Sequence, residues 1–226
     1  MATLTRATLA EQAYEELHSQ IVSGRRPAGQ RLLSERLADE LAISQTPVKE
    51  ALALLERDGL VEGNSRKASA VRRFTRDDIL QIYDARMLIE LNAIAIGRRM
   101  KRVTPAFLAD LERAHEAQKI HAERRTREDL AEALRHDRAF HSCIVSLTEN
   151  YLMIGWHRTI LHQTQTIRTH SLETYKTPRS WQDHEAILNA FKRADFAAAA
   201  RELRTHLTGS CEQLASRLRE TMPEIT

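Results

Sequence analysis

Ser44-Gln45-Thr46-Pro47-Val48-Lys49-Glu50-Ala51-Leu52 is the stretch from which the rest of the chain can be read. Ser44 or Thr46 can cap a helix here, and Pro47 sits in its first turn, where a missing backbone N–H does no harm. Val48, Ala51, Leu52 and Leu55 recur at helical spacing, which leaves Gln45, Thr46 and Lys49 on the polar side. Upstream, Ser34 reads as the N-cap of a shorter helix with Leu37, Ala38 and Leu41 as its apolar positions. Ala42-Ile43-Ser44-Gln45 is the tight connection between the two, and the pair makes a helix-turn-helix pattern. A helix of this kind fits the major groove of DNA with its N-terminal side chains against base edges. Gln45, Thr46 and Lys49 are residue types that can do this, and Arg36 can reach a base or the backbone. By periodicity alone, the same face reads equally well as a solvated polar surface.

Working outward, Leu9, Ala13, Leu17 and Ile21 predict an amphipathic helix over Leu9–Ser23, stopped by Gly24, with a turn at Pro27 and Gly29. After the third helix, Gly59-Leu60-Val61-Glu62 and Ala70-Val71-Arg72-Arg73-Phe74 read as two short strands around the polar stretch from Gly63 to Lys67. That is a β-hairpin wing with Arg66 and Lys67 at its tip. From Thr75 onward only helices are expected: a long one capped by Thr75 with a stripe from Ile79 to Ala93, then others over about Thr104–Glu123, Thr126–Thr148, Asn150–Leu172, Ser180–Arg193 and Asp195–Arg219. Thr75, Ser180 and Asp195 are N-cap types, and Thr126 with Asp129 resembles a capping box. Glu173–Pro178 is the one long loop expected in this half. The fold class is therefore mainly α: a winged helix-turn-helix domain over residues 1–74, followed by an all-α bundle over 75–226.

Composition agrees. With 42% hydrophobic and 29% charged residues the chain of 226 residues is globular, and its 7 Gly and 5 Pro favour long helices. No apolar run is long enough to span a membrane and no secretory signal is visible, so a cytoplasmic protein without membrane contact is expected. Two cysteines, Cys143 and Cys211, cannot make a disulfide framework and read as free thiols. The net charge of +3 is too small to argue for nucleic acid by itself, so the placement of the charges must carry that reading. There is no G-x-G-x-x-G, P-loop or G-x-S-x-G, so nucleotide binding and serine-hydrolase chemistry lack support.

A second constellation lies in the helical half. Asp137 and His141 form D-x-x-x-H, one turn apart on one helix face, a spacing at which both can hold one metal ion. With His184 and His206 they make an N/O set suited to Zn²⁺, Ni²⁺ or a similar divalent ion. The plainer alternative is that these are ordinary core or surface histidines among the 10 of the chain. His157, His162 and His170 could line a pocket, but no spacing singles them out.

The run Ile21-Val22-Ser23-Gly24, Pro27-Ala28-Gly29-Gln30, Ser34-Glu35, Leu37-Ala38, Ser44 to Leu52 and Gly59-Leu60-Val61 resembles the winged helix of GntR-family transcription regulators over most of residues 9–74. The resemblance implies DNA contacts from Arg36, Ser44, Gln45, Thr46 and Lys49 and from Arg66 and Lys67 at the wing tip. Gln45 and Lys49 stand where the family usually has Arg, which implies a different operator, because neither reproduces arginine's fork to guanine. Ala68 stands where the wing usually has Gly. Asp137-Arg138-Ala139-Phe140-His141, His184-Glu185-Ala186-Ile187 and Arg204-Thr205-His206-Leu207 resemble the FCD effector domain of the FadR subfamily. The resemblance implies a metal held by Asp137, His141, His184 and His206, and an effector carboxylate met by Arg86, with Gln163 and Arg168 as weaker candidates. An Arg86 ion pair with Glu90 and surface positions for Gln163 and Arg168 are the structural alternatives.

The expected function is a ligand-responsive DNA-binding transcription regulator, not an enzyme. It would act as a homodimer on a palindromic operator in double-stranded DNA and sense a small organic acid at the metal. Two alternatives compete: a metal-dependent hydrolase using the Asp/His set, for which no separate general base can be named, and a constitutive DNA-binding protein with a purely structural metal.

Overall fold

The apolar stripes of the first three helices meet in one core, and a small sheet closes its side. The computed structural model describes residues 7–64, 68–124, 126–170 and 180–221. The chain divides into two compact units, Met1–Phe74 and Thr75–Thr226.

In the first unit, α1 (Leu9–Val22), α2 (Ser34–Leu41) and α3 (Gln45–Arg57) combine with β1 (Arg31–Leu32), β2 (Val61–Asn64) and β3 (Ala68–Val71). Thr8 and Glu11 form a reciprocal capping box that starts α1. Gly24 ends it with φ at 77°, in the left-handed region where a side chain is strained. Leu17, Ile21, Leu37, Val48, Leu52, Leu55, Leu60 and Val71 fill the core. The Tyr14 hydroxyl donates to Asp58 at 2.6 Å, tying α1 to the C-cap of α3.

The antiparallel sheet has the order β1-β3-β2, with Leu32 opposite Ser69 and Glu62 opposite Ala70. The sequence anticipates only the two hairpin strands. β1 is two residues long, too short to show a period of 2, and is fixed by its pairing with β3. The N-cap of α2 also differs from expectation. Leu33 holds it, with extended backbone and no side-chain cap bond, and Ser34 is already helical. Because β1 runs straight into α2, the strand's extended conformation persists to Leu33. Ser44 occupies the N-cap of α3, but its hydroxyl makes no cap hydrogen bond.

The second unit is helical throughout its described residues: α4 (Arg76–Arg99), α5 (Pro105–Arg124), α6 (Arg127–Ser146), α7 (Tyr151–His170), α8 (Ser180–Lys192) and α9 (Phe196–Thr221). Thr75 and Asp78 cap α4 reciprocally, with acidic residues in its first turn and Arg98 and Arg99 in its last, as the helix dipole favours. The Thr126 hydroxyl accepts from the Asp129 N–H at the start of α6, and the Asp195 carboxylate accepts from the Ala198 N–H at the start of α9. α5 packs on α6, α4 on α9, and α8 on both α5 and α9, while α4 and α7 also pack on α6. At the end of α4, a Cβ on Gly97 would lie 2.8 Å from the Leu147 side chain, so glycine permits that close approach. The loop expected at Glu173–Pro178 lies outside the described residues. Among the described residues no helix is long and apolar enough to cross a membrane.

Leu52 is 1% exposed at the centre of the first core. Leu52→Ala is expected to lower stability by about 2–5 kcal/mol through lost burial and the cavity left behind. Urea unfolding followed by circular dichroism checks this, and a loss under about 1 kcal/mol would contradict the packing described.

Candidate metal centre and nucleic-acid interface

In the first unit, Arg36 on α2 and Ser44, Gln45, Thr46 and Lys49 at the start of α3 are all exposed, while Val48, Ala51, Leu52 and Leu55 on the opposite side of α3 are buried. One helix therefore has an apolar side that anchors it and a polar N-terminal side turned to solvent. Arg66 and Lys67, expected at the wing tip, lie outside the described residues. After the wing, the Arg72 guanidinium sits 5.0 Å from the centroid of the Phe74 ring.

In the second unit, Asp137 and His141 from α6, His184 from α8 and His206 from α9 converge in the bundle interior. All four are buried, and one ligand atom from each lies within 4.8 Å of the others. The His184 Nε2 is 3.2 Å from the Nε2 of His141 and 3.2 Å from that of His206. The Asp137 carboxylate approaches the His184 and His141 Nε2 atoms at 3.8 and 4.0 Å.

The opposite side of each imidazole explains this clustering. The His141 Nδ1 lies 2.6 Å from Glu90 Oε2, and the His206 Nδ1 lies 3.1 Å from Asp183 Oδ2. The His184 Nδ1 lies 2.6 Å from the Gln118 amide oxygen. That amide is fixed in orientation, because its nitrogen donates to Asp137 and to the Ser180 hydroxyl. Carboxylate and amide oxygens only accept, so each Nδ1 carries a proton, and in the neutral ring each Nε2 presents a lone pair. Three lone pairs facing one another in a buried space repel unless a cation lies between them. A separation of 3.2 Å is also what two Zn–N bonds of about 2.0–2.1 Å span when they meet at about 100°. The residues fit a borderline divalent ion, and their outer hydrogen bonds set the tautomers that such an ion requires.

Electrostatics point the same way. Burial is the largest influence on His141 and pushes its pKa down to about 4, against the opposing pull of Glu90. Burial, reinforced by His206, holds His184 well below the ordinary imidazole value. For Asp137 burial acts upward, but the Arg168 guanidinium and the surrounding imidazoles outweigh it and hold the carboxyl below its usual range. For Glu90, Arg86 and His141 likewise outweigh burial. His141 and His184 are thus favoured as neutral imidazoles, and Asp137 and Glu90 as ionised carboxylates.

The other nominated residues divide. Arg86 on α4 is fully buried, and its Nε donates to Glu90 at 2.8 Å, so the anticipated ion pair is present. Its two terminal nitrogens are buried and have no hydrogen-bond partner among the described residues. Arg168 is buried on α7 and not on the surface; its Nη1 donates to Asp137 Oδ2 at 2.7 Å and its Nη2 to the Tyr83 hydroxyl at 3.3 Å. That ion pair orients the Asp137 carboxylate. Gln163 is half-buried on α7.

Sequence reasoning did not nominate Glu90, Gln118, Asp183 or His157, the last of which also bonds Glu90, at 3.0 Å. A signal existed for two of them: Glu90 and Gln118 are polar residues on otherwise buried helix faces. Cys143 is a free thiol, pushed up to about 12 by burial, which removes it as a nucleophile.

With this geometry in hand, comparison with known proteins is decisive. An FCD domain model matches residues 81–209, and the model for bacterial regulatory proteins of the gntR family matches residues 9–71. The chain belongs to the GntR family of bacterial regulatory proteins, with an FCD domain. This GntR/FCD chain is 25% identical to the HTH-type transcriptional regulator YdhC of Bacillus subtilis (strain 168), over 92% of each protein. It is 27% identical to a probable D-xylose utilization operon transcriptional repressor of Paenarthrobacter nicotinovorans, over 90% of this chain and 88% of that one. It is also 27% identical to the gluconate operon transcriptional repressor of Bacillus subtilis (strain 168), over 88% and 82%. Among solved structures, E. coli McbR/YncC matches in fold with a TM-score of 0.79 at 22% identity, covering 94% of this chain and 100% of that one. A putative GntR regulator from Rhodococcus sp. RHA1 matches with a TM-score of 0.76 at 22% identity, covering 92% and 97%. The GntR/FCD chain is a DNA-binding transcription regulator and not an enzyme, and the hydrolase alternative has no support.

The depressed imidazole values set a pH window for the metal-free protein. In the unfolded chain His141 and His184 titrate near 6.5. Between that value and about 4, the unfolded state binds more protons than the folded one, so stability rises with pH across this window. Chelator-treated protein is expected to melt at a lower temperature at pH 5 than at pH 7. A melting temperature that is unchanged or higher at pH 5 would contradict neutral buried imidazoles.

Proposed function

We propose that this GntR regulator belongs to the FadR subfamily and senses a small organic acid at a divalent-metal centre, zinc or nickel, held by Asp137, His141, His184 and His206. The single observation that carries the acid is Arg86: a buried guanidinium whose Nη1 and Nη2 have no hydrogen-bond partner among the described residues. A carboxylate supplies two acceptors for that fork. Bound divalent metal would supply positive charge and open coordination positions for the same anion. Glu90 connects the two parts, accepting from Arg86 Nε through one oxygen and from His141 Nδ1 through the other. An acid engaging Arg86 therefore acts on the hydrogen bond that holds a metal-ligand imidazole. Arg168 is better explained as the residue that orients Asp137, and Gln163 remains an effector candidate on α7.

Arg36, Ser44, Gln45, Thr46 and Lys49 read double-stranded DNA in this proposal, with Arg66 and Lys67 on the wing. The exposure of Arg36 on α2 and of Ser44, Gln45, Thr46 and Lys49 at the start of α3, opposite the buried side of that helix, supports this. Gln45 suits adenine, while Lys49 suits guanine or phosphate. The regulator acts as a homodimer on a palindromic operator. Support comes from Leu88 on α4 and Tyr151, Leu152, Ile154 and Trp156 on α7, large apolar side chains left exposed in the single chain. One relative is named a gluconate operon repressor, and gluconate is a sugar-derived carboxylate, which agrees with control by a small organic acid. To alter DNA affinity, the acid must bind two states of the dimer unequally.

Gel shifts of metal-loaded protein on DNA from beside its own gene, with and without a panel of small carboxylic acids, test the proposal. At least one acid is expected to change operator affinity by about 5–150-fold, the range of a typical coupling energy. Arg86→Gln is expected to keep DNA binding and lose the response. An acid response of equal size in Arg86→Gln would remove Arg86 from the effector site.

A further inference from the structure

We infer that α5 and α6 carry a second site for a divalent transition metal, at the bundle surface and separate from the buried centre. Its donors are His121, Glu132 and His136, half-buried residues that each place a ligand atom within 4.8 Å of the others. Glu132 and His136 share one face of α6 one turn apart, and His121 comes from α5. The His121 and His136 rings lie nearly parallel, 10° apart with centroids at 5.6 Å.

Three observations turn this cluster into a donor set. First, the His121 Nδ1 is 2.8 Å from Asp129 Oδ1, so Nδ1 carries a proton, and when the ring is neutral Nε2 is the nitrogen left with a lone pair. This is the carboxylate–histidine arrangement that prepares an imidazole for a metal. Second, Asp129 is held in turn by the Thr126 hydroxyl at 2.8 Å, which anchors it at the start of α6. Third, a cation already spans the other two donors. Arg135 donates from Nε to Glu132 Oε2 at 2.8 Å and lies 2.9 Å from His136 Nε2 through Nη2. Because arginine only donates, His136 Nε2 must also be an unprotonated lone pair. The Arg135 guanidinium therefore occupies the position of a metal ion between a carboxylate and an imidazole. Its side chain is half exposed, so it can swing into water and vacate that position.

Two imidazoles and one carboxylate select borderline ions such as Zn²⁺, Ni²⁺, Co²⁺ or Cu²⁺ over Mg²⁺ and Ca²⁺. Three protein donors at a partly exposed position leave room for water, so this ion exchanges more readily than one in the buried centre. The ion would clamp α5 to the same helix that carries Asp137 and His141.

Competition titration of chelator-treated full-length protein with Zn²⁺ and a chromophoric chelator tests the assignment. Wild type is expected to bind a weaker ion in addition to any in the buried centre. His121→Ala and Glu132→Gln should each weaken that ion by about 10-fold or more, and His184→Ala should leave it in place. Arg135→Ala should tighten it several-fold by removing the competing guanidinium, an effect that a merely structural role for the cluster would not produce. Glu132 and Arg135 are exposed enough for their variants to fold, so the test holds even if a histidine variant fails. Zn²⁺ binding in His121→Ala and Glu132→Gln that matches wild type in number and affinity would overturn the site. So would unchanged or weaker binding in Arg135→Ala.

Discussion

Three imidazoles brought together inside a helical bundle, with the His184 Nε2 3.2 Å from those of His141 and His206, are a constraint that the surrounding structure must satisfy. Hydrophobic packing alone does not arrange this, because burying polar groups without partners is unfavourable. Each ring is instead held from behind by an acceptor: Glu90 for His141, Gln118 for His184 and Asp183 for His206. Phe140 stacks flat on His184 at 4.1 Å and fixes its plane. The result is a fixed pocket of lone pairs, backed by an Asp137 carboxylate that Arg168 orients. Glu90 is the hub, since it accepts from Arg86, His141 and His157. Charge at Arg86 and the orientation of His141 are thereby parts of one hydrogen-bonded unit.

Much of the architecture was legible in the sequence because it rests on local rules. Helical periodicity located α1, α3 and the six helices among the described residues of the second unit, and side-chain caps at Thr75, Thr126 and Asp195 marked where three of them begin. What sequence reasoning missed depends on long-range contact. β1 exists only through its pairing with β3, and Leu33 takes the N-cap of α2 because a strand feeds directly into it. Arg168 looked like a surface residue on its own helix, yet it is buried by an ion pair with Asp137, 31 positions away.

The candidate site shows the same division. Asp137 and His141 were visible as a pair because one helical turn separates them, whereas resemblance and then the fold brought in His184 and His206. The supporting acceptors were invisible individually, because a Gln or Glu on an amphipathic helix carries no sign of which imidazole it will meet. Glu90 and Gln118 stand out only once their helix faces are known to be buried. The winged unit is the simpler case: its reading face is a short run at one helix start, so residue identity and position together were informative.

X-ray absorption at the metal edge of protein loaded with a single equivalent of Zn²⁺ tests the central claim most directly. The account predicts a first shell of nitrogen and oxygen only, with three imidazoles at about 2.0–2.1 Å and no sulfur. A shell with fewer than three imidazoles, or one that is unchanged in His184→Ala, would contradict it.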